Sequence, residues 1–180
     1  MKYYRLLEDM HSADRWYLGK IENINNWITH SDVLPDSLDI NLVQDGPEID
    51  FTLTENYVVP IISQRLKEKL MAVSNIRFVS VKPIGKKCIY TYFAMIVEKV
   101  VDCIDEEKSK FEKFQNNDPI RPDMAGQYSA FFDMKIDKEK IEGLDIFRIE
   151  NFEIAIVVSE NIVNKLHSSG VSGLRFKLIN

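Results

Sequence analysis

The chain is predicted to fold as an α+β protein built on a mixed, mostly antiparallel sheet. Three observations lead there. Short runs rich in Ile, Val, Tyr and Phe recur along the whole length, which suits half-buried strands. Two segments carry apolar residues at helical spacing, and each begins at a serine. Each of those segments lies between two of the apolar runs, so helices are expected to pack on sheet faces.

The elements are expected in this order. Residues 3–7 are aromatic and aliphatic and form a first strand. Trp16, Tyr17 and Leu18, followed by Gly19, form a second short strand or packed turn. Residues 29–50 are loop-rich, with a short strand over 40–43. Residues 57–62 form a strand with Pro60 at an edge or strand end. Ser63 then caps a helix through Ala72, whose hydroxyl accepts an otherwise orphaned N–H. Residues 76–81 form a strand stopped by Pro83 and Gly85, and 87–101 a long one. Residues 105–114 are expected as a short charged helix with Phe111 and Phe114 on one face, and 115–127 as loop. Strands follow over 131–136, 146–149 and 152–158. Ser159 caps a second helix through Leu166, Gly170 stops it, and 174–178 closes the chain as a strand.

These last elements echo earlier ones. Ser63, Leu66 and Leu70 match Ser159, Ile162 and Leu166 at constant offset, and Ile76-Arg77-Phe78 matches Leu174-Arg175-Phe176 after a two-residue gap. Two weakly repeated strand–helix–strand units are expected, although this is also a common supersecondary pattern. The 180 residues suit a single domain, with an acidic strand-and-loop part over 1–55 and an α+β part over 56–180.

Composition narrows the function. Hydrophobic residues make up 45 % and charged residues 28 %, as in a globular chain and unlike a disordered one. The net charge of −5 runs opposite to the Lys and Arg excess of a generic nucleic-acid binder. The N-terminus turns acidic by Glu8 without an apolar core region, and no stretch reaches about 18 apolar residues. No signal peptide, membrane span or nucleic-acid partner is therefore expected. Cys88 and Cys103 are too few for a disulfide framework or a four-thiolate zinc site, so a cytoplasmic protein with reduced thiols is expected.

Enzyme signatures are sparse. There is no Gly-x-Gly-x-x-Gly, Gly-x-x-x-x-Gly-Lys, His-Glu-x-x-His or Gly-x-Ser-x-Gly. His167 suits a helix end, and His30-Ser31-Asp32 suits a turn better than a catalytic relay. Asp102, Asp105 and Glu106 form the densest carboxylate cluster. Three convergent carboxylates could hold a divalent cation for a small metal-dependent hydrolase, but Asp105 reads better as a helix start with Glu106 and Glu107 in its first turn. No catalytic residue, cofactor or metal is assigned.

The distribution of charge says more. Between Lys20 and Arg65 there is no Lys or Arg, and the 44 residues of that interval carry a net charge of −8 from Glu22, Asp32, Asp36, Asp39, Asp45, Glu48, Asp50 and Glu55. The remainder of the chain nets +3. Solvated loops can be acidic, but ordinary surfaces mix both signs. An acidic recognition face would speed encounter with a basic partner and reject others. Its expected residues are Asp32, Asp36, Asp39, Asp45, Glu48 and Asp50, with Trp16 and Trp27 as aromatic anchors. Core packing is the competing expectation for both tryptophans.

Several stretches carry a family resemblance: Gly46-Pro47-Glu48-Ile49-Asp50-Phe51; residues 60–66 leading to Ile76-Arg77-Phe78; residues 101–105 with Ser109; Ile146-Phe147-Arg148-Ile149; residues 156–160; and Gly173-Leu174-Arg175-Phe176. In these, over residues 42 to 180, the chain resembles bacterial immunity proteins of the eleventh immunity family of polymorphic toxin systems, formerly a domain of unknown function. Ser172 stands where the family often has Thr or a similar small residue before Gly-Leu, a mild departure, and loop 115–127 has no counterpart. The resemblance implies a non-enzymatic cytosolic protein that binds and neutralises a toxin encoded beside it, with no cofactor and no catalytic residue to carry over. A non-enzymatic adaptor remains a third alternative, and a homo-oligomer is left open.

Overall fold

The computed structural model describes residues 1–11, 14–21, 34–55 and 58–179. Within them the fold is α+β with mixed sheets. In chain order the strands are β1 (Tyr3–Glu8), β2 (Tyr17–Leu18), β3 (Ser37–Gln44), β4 (Phe51–Leu53), β5 (Pro60–Ser63), β6 (Ile76–Ile84), β7 (Tyr92–Val97), β8 (Val100–Val101), β9 (Lys110–Lys113), β10 (Tyr128–Asp133), β11 (Ile146–Ile149), β12 (Phe152–Ser159) and β13 (Leu174–Ile179). Helix α1 (Gln64–Leu70) follows β5, and α2 (Glu160–His167) follows β12. No helix is long and apolar enough to cross a membrane, among the described residues.

One sheet has the order β13-β1-β12-β11-β8, with β8 parallel to β11. The other runs β2-β3-β6-β7-β5-β4, with β3 parallel to β6. β9 and β10 form a separate antiparallel pair. The N-terminal strand β1 thus lies between the C-terminal β12 and β13, and β3 rests on β6.

Side-chain alternation explains why both sheets are buried on two faces. In β7, Met95 and Val97 point into a central core while Tyr92, Ala94 and Ile96 point into another. In β12, Ile156 and Val158 join the central core while Ala155 and Val157 face a third. The central core takes Leu66 and Leu70 from α1 and Ile162, Val163 and Leu166 from α2, so the helices fill the space between the sheets. β9 and β10 lay Phe111, Tyr128 and Phe131 over the third core, where Phe131 meets Phe152 at 4.9 Å between ring centroids.

Both helix starts are capped as expected. The Leu66 N–H donates to Ser63 Oγ at 3.2 Å, and the Ile162 N–H to Ser159 Oγ at 3.5 Å. Each serine is tied in turn to an aspartate. Ser63 donates its N–H to the Asp50 carbonyl and its hydroxyl to the Asp50 carboxylate; Ser159 does the same with Asp145. Ser159→Ala is expected to lower stability by about 1–2 kcal/mol, since a cap and the acceptor's partner go together. An unshifted urea midpoint would contradict this.

Three expectations are corrected. Residues 105–114 are not a helix: a turn closed by Ser109 N–H on the Asp105 carbonyl at 2.9 Å leads into β9. The alternation that buries Phe111 between outward Lys110 and Glu112 serves pairing with β10 instead. The long strand over 87–101 begins only at Tyr92 and is broken at Glu98 and Lys99, where the chain leaves one sheet for the other. Pro83 does not stop β6, which runs to Ile84. Pairing with β7 ends at Val81, so Pro83 has a ladder neighbour on one side alone and its missing N–H costs no bond on the other.

Candidate interaction surface

The acidic interval divides into two groups. Asp36 is exposed just before β3, and Asp39 is exposed on it. Neither forms an ion pair among the described residues. Asp45 is also at the surface, but its carboxylate takes Lys86 Nζ at 2.6 Å and the Gly46 N–H at 2.7 Å. Lys86, then that N–H, hold the Asp45 carboxyl below its ordinary value. Asp32 and Trp27 lie outside the described residues.

The other group serves the fold. Glu48 accepts from the backbone N–H of Ile89 at 2.9 Å and from the Tyr92 hydroxyl at 3.2 Å, fastening the turn before β7. Asp50 is buried, and its carboxylate takes Ser63 Oγ at 2.7 Å, Arg65 at 2.6 Å and the Ser172 N–H at 2.8 Å. Burial pushes the Asp50 carboxyl up, but the bonds from Arg65, Ser172 and Ser63 together hold it below the ordinary range. Trp16 is fully buried against Tyr92, with ring centroids 4.6 Å apart. Burial withdraws Trp16 and Asp50 from any binding face, because neither side chain is accessible to a partner.

Nor is the acidic interval free of bases in space. The parallel pairing of β3 with β6 sets Asp39 beside Lys82, and Lys86 follows just past the end of the same strand. Among the described residues, Asp36 and Asp39 remain accessible and negative, with Asp45 at their margin, and Glu55 is exposed as well.

The cluster at Asp102, Asp105 and Glu106 does not converge. Asp102 lies 3.6 Å from Lys140, Asp105 2.6 Å from Lys108, and Glu106 2.7 Å from Lys113. Each carboxylate has its own lysine, and the described residues contain no group of three or more His, Cys, Asp or Glu able to hold a metal ion. Cys103 is buried, and burial pushes its thiol up to about 12. Cys88 and Cys103 are both free. His11 pairs with Asp9, and His167 packs on Phe176 at 5.3 Å.

Two buried polar sites escape the sequence reading. Arg148 is fully buried and donates to three main-chain carbonyls. Glu8 and Arg15 form a buried pair joined by Thr52, whose hydroxyl lies 2.8 Å from Glu8 Oε1. The signal for Arg148 was an isolated charge inside the apolar run 146–149, whereas Glu8 and Arg15 each stand beside an aspartate and gave none.

Three of the stretches that carried the resemblance, residues 46–51, 60–66 and 173–176, meet around Asp50. Gly46 packs so close to the Asp14–Trp16 backbone that a Cβ would lie 1.9 Å from the Asp14 carbonyl oxygen. Gly173, at φ +83°, leaves 2.2 Å between such a Cβ and the Phe51 carbonyl oxygen. Both glycines therefore serve close backbone packing. The model of the Immunity protein family (Imm11) matches residues 34–180. No curated protein matches the chain.

Proposed function

The chain belongs to the Imm11 immunity protein family, and from that premise we propose that it binds a cognate toxin encoded by a neighbouring gene and neutralises it in the cytoplasm by covering its active or substrate-binding surface. The family match over residues 34–180 is the observation that carries this reading. The protein acts by binding, as one unit and without a cofactor. Its acidic surface around Asp36 and Asp39, joined by Asp45, pairs with Lys and Arg on the toxin, and complementary charge of this kind acts chiefly on the association rate. A metal-dependent hydrolase at Asp102, Asp105 and Glu106 has no observation in its favour, since each carboxylate is matched by a separate lysine.

The architecture belongs to the same proposal. Two copies of one unit are supported by the paired serine caps, by the aspartate behind each cap, and by strand order. β5 and β6 flank the antiparallel β7, as β12 and β13 flank the antiparallel β1.

Co-expression with the neighbouring toxin gene tests the immunity reading: growth is rescued, and absence of rescue would sink it. Asp36→Lys with Asp39→Lys tests the acidic surface. Association is expected to slow by about tenfold at low salt, with the difference narrowing as salt rises. Rescue and association rates equal to the unaltered protein would remove the acidic surface while leaving immunity in place.

A further inference from the structure

The second surface lies on the other sheet and carries the opposite charge. β1 and β13 pair with Arg5 opposite Lys177 and Leu7 opposite Arg175. All four side chains therefore project from one face. Like charges directly opposite each other destabilise a sheet. Yet none of the three cations has a carboxylate in ion-pair contact among the described residues. Arg5 lies over the Phe152 ring at 5.3 Å, and its Nε is buried without a hydrogen-bond partner.

A cleft opens beside this strip. β1 runs on to Glu8, but its pairing with β12 ends at Leu6 opposite Ile156. Beyond that point the strands part around a cavity of ≈ 370 Å³ walled by Leu6, Leu7, Phe51, Leu53, Ile154 and Ile156. Arg5, Arg175 and Glu8 also line it. Met10 and Ile154, which belong to the same lining, are 60 % and 47 % exposed. Glu8 is only 5 % exposed. Its Oε1 takes Arg15, Thr52 and the Leu53 N–H, while its Oε2 is buried with no partner. A buried orphan acceptor and a buried orphan donor each cost free energy until something bonds them.

We propose that this cleft and its basic strip dock an apolar, acidic segment of the partner protein. An apolar side chain fills the cleft, and an adjacent carboxylate sits on Arg175 and Lys177. The docked carboxylate thereby relieves the like-charge pairing of Arg5 with Lys177. Naming the partner as the toxin rests on the immunity reading; the chemistry of the segment does not.

The test has two arms. The full chain, labelled at its methyl groups, is titrated with the capped peptides Ac-Leu-Glu-Leu-NH2 and Ac-Leu-Lys-Leu-NH2 and followed by NMR. The acidic peptide is expected to shift the Leu7, Ile154 and Ile156 methyls, and the lysine peptide to leave them in place. Arg175→Glu with Lys177→Glu abolishes the shifts without lowering Tm, because Lys177→Glu puts a carboxylate opposite Arg5. Ile154→Lys, at an exposed rim position, provides a second variant with the same expected loss. No shifts, or equal shifts from both peptides, would overturn the proposal. In the second arm the double variant is expected to bind the toxin about tenfold or more weaker. Unchanged toxin affinity would overturn docking at this strip. Failure of the unaltered protein to bind the toxin counts against the immunity reading, and the peptide arm still decides the cleft.

Discussion

Arg148→Met is expected to lower the stability of the protein by about 3 kcal/mol, enough to move a large share of a marginally stable fold toward the unfolded state. Arg148 stands on β11 in one sheet and is fully buried. Its guanidinium donates to the Val97 carbonyl at 3.2 Å, to the Val58 carbonyl at 2.9 Å and to the Glu153 carbonyl. Val97 ends β7 in the other sheet, so one planar fork laces the two sheets together. Burial pushes the guanidinium down to about 10, with Glu153 working the other way, so the group is still a cation at neutral pH. Keeping that charge in the interior costs several kcal/mol, offset by bonds from a charged donor worth about 1.5–3 kcal/mol each. Methionine removes the desolvation cost but strands the carbonyls, and each stranded group costs at least about 1 kcal/mol. Arg148→Lys should fall between, since a compact ammonium cannot span three separated acceptors. Urea unfolding at pH 7 checks the order, with an unchanged m-value placing the effect in the folded state. A methionine variant as stable as the original protein would show that apolar packing replaces the charge without loss, as happens in some buried ion pairs.

Arg148 also marks where sequence reading stops. Local signals were legible: Ser63 and Ser159 as caps, the apolar spacing of α1 and α2, and the strands over 146–149 and 152–159 all depend on neighbours within a few residues. Long-range pairing was not. Phe111 and Phe114, three residues apart, fit a helical face, and only Tyr128 and Phe131, brought alongside by β10, draw Phe111 into a strand instead. The same limit governs the charge. The interval from 21 to 64 contains no base, but β6 delivers Lys82 to the side of β3, and Lys86, just past the end of β6, reaches Asp45. A block of charge in sequence becomes a patch in space only after strand neighbours are known. Among the described carboxylates of the interval, Asp36, Asp39 and Glu55 stay exposed without an ion pair, while Asp45, Glu48 and Asp50 are taken up by partners within the fold. The basic strip was invisible for the complementary reason, because Arg5 and Lys177 are separated by nearly the whole chain and meet only as neighbouring strands.

Asp50→Ala is expected to cost about 2–3 kcal/mol at pH 7 and to flatten the acid limb of the stability curve. The carboxylate joins three segments that are distant in sequence: β4, which it precedes; the cap of α1 through Ser63; and the turn before β13 through Ser172. Alanine leaves the buried Ser63 hydroxyl without its acceptor and frees the Ser172 N–H and hydroxyl together. Arg65 contributes less than its 2.6 Å contact suggests, because its side chain is 47 % exposed and water screens the pair. The order of loss should therefore be Asp50→Ala, then Asp50→Asn, which keeps one acceptor oxygen, then Arg65→Met at about 0.5–1 kcal/mol. The pH dependence follows from the direction of the shift. In the folded protein the Asp50 carboxyl sits below the unfolded value of about 3.9, so the unfolded chain takes up the proton first as acid is added. Its stabilisation is complete above that value and is lost as pH falls through the folded pKa. Urea midpoints at pH 7 and pH 3 should therefore diverge more for the original protein than for Asp50→Ala. Equal divergence in both would place the acid sensitivity on other carboxylates and reduce Asp50 to a neutral hydrogen-bond acceptor.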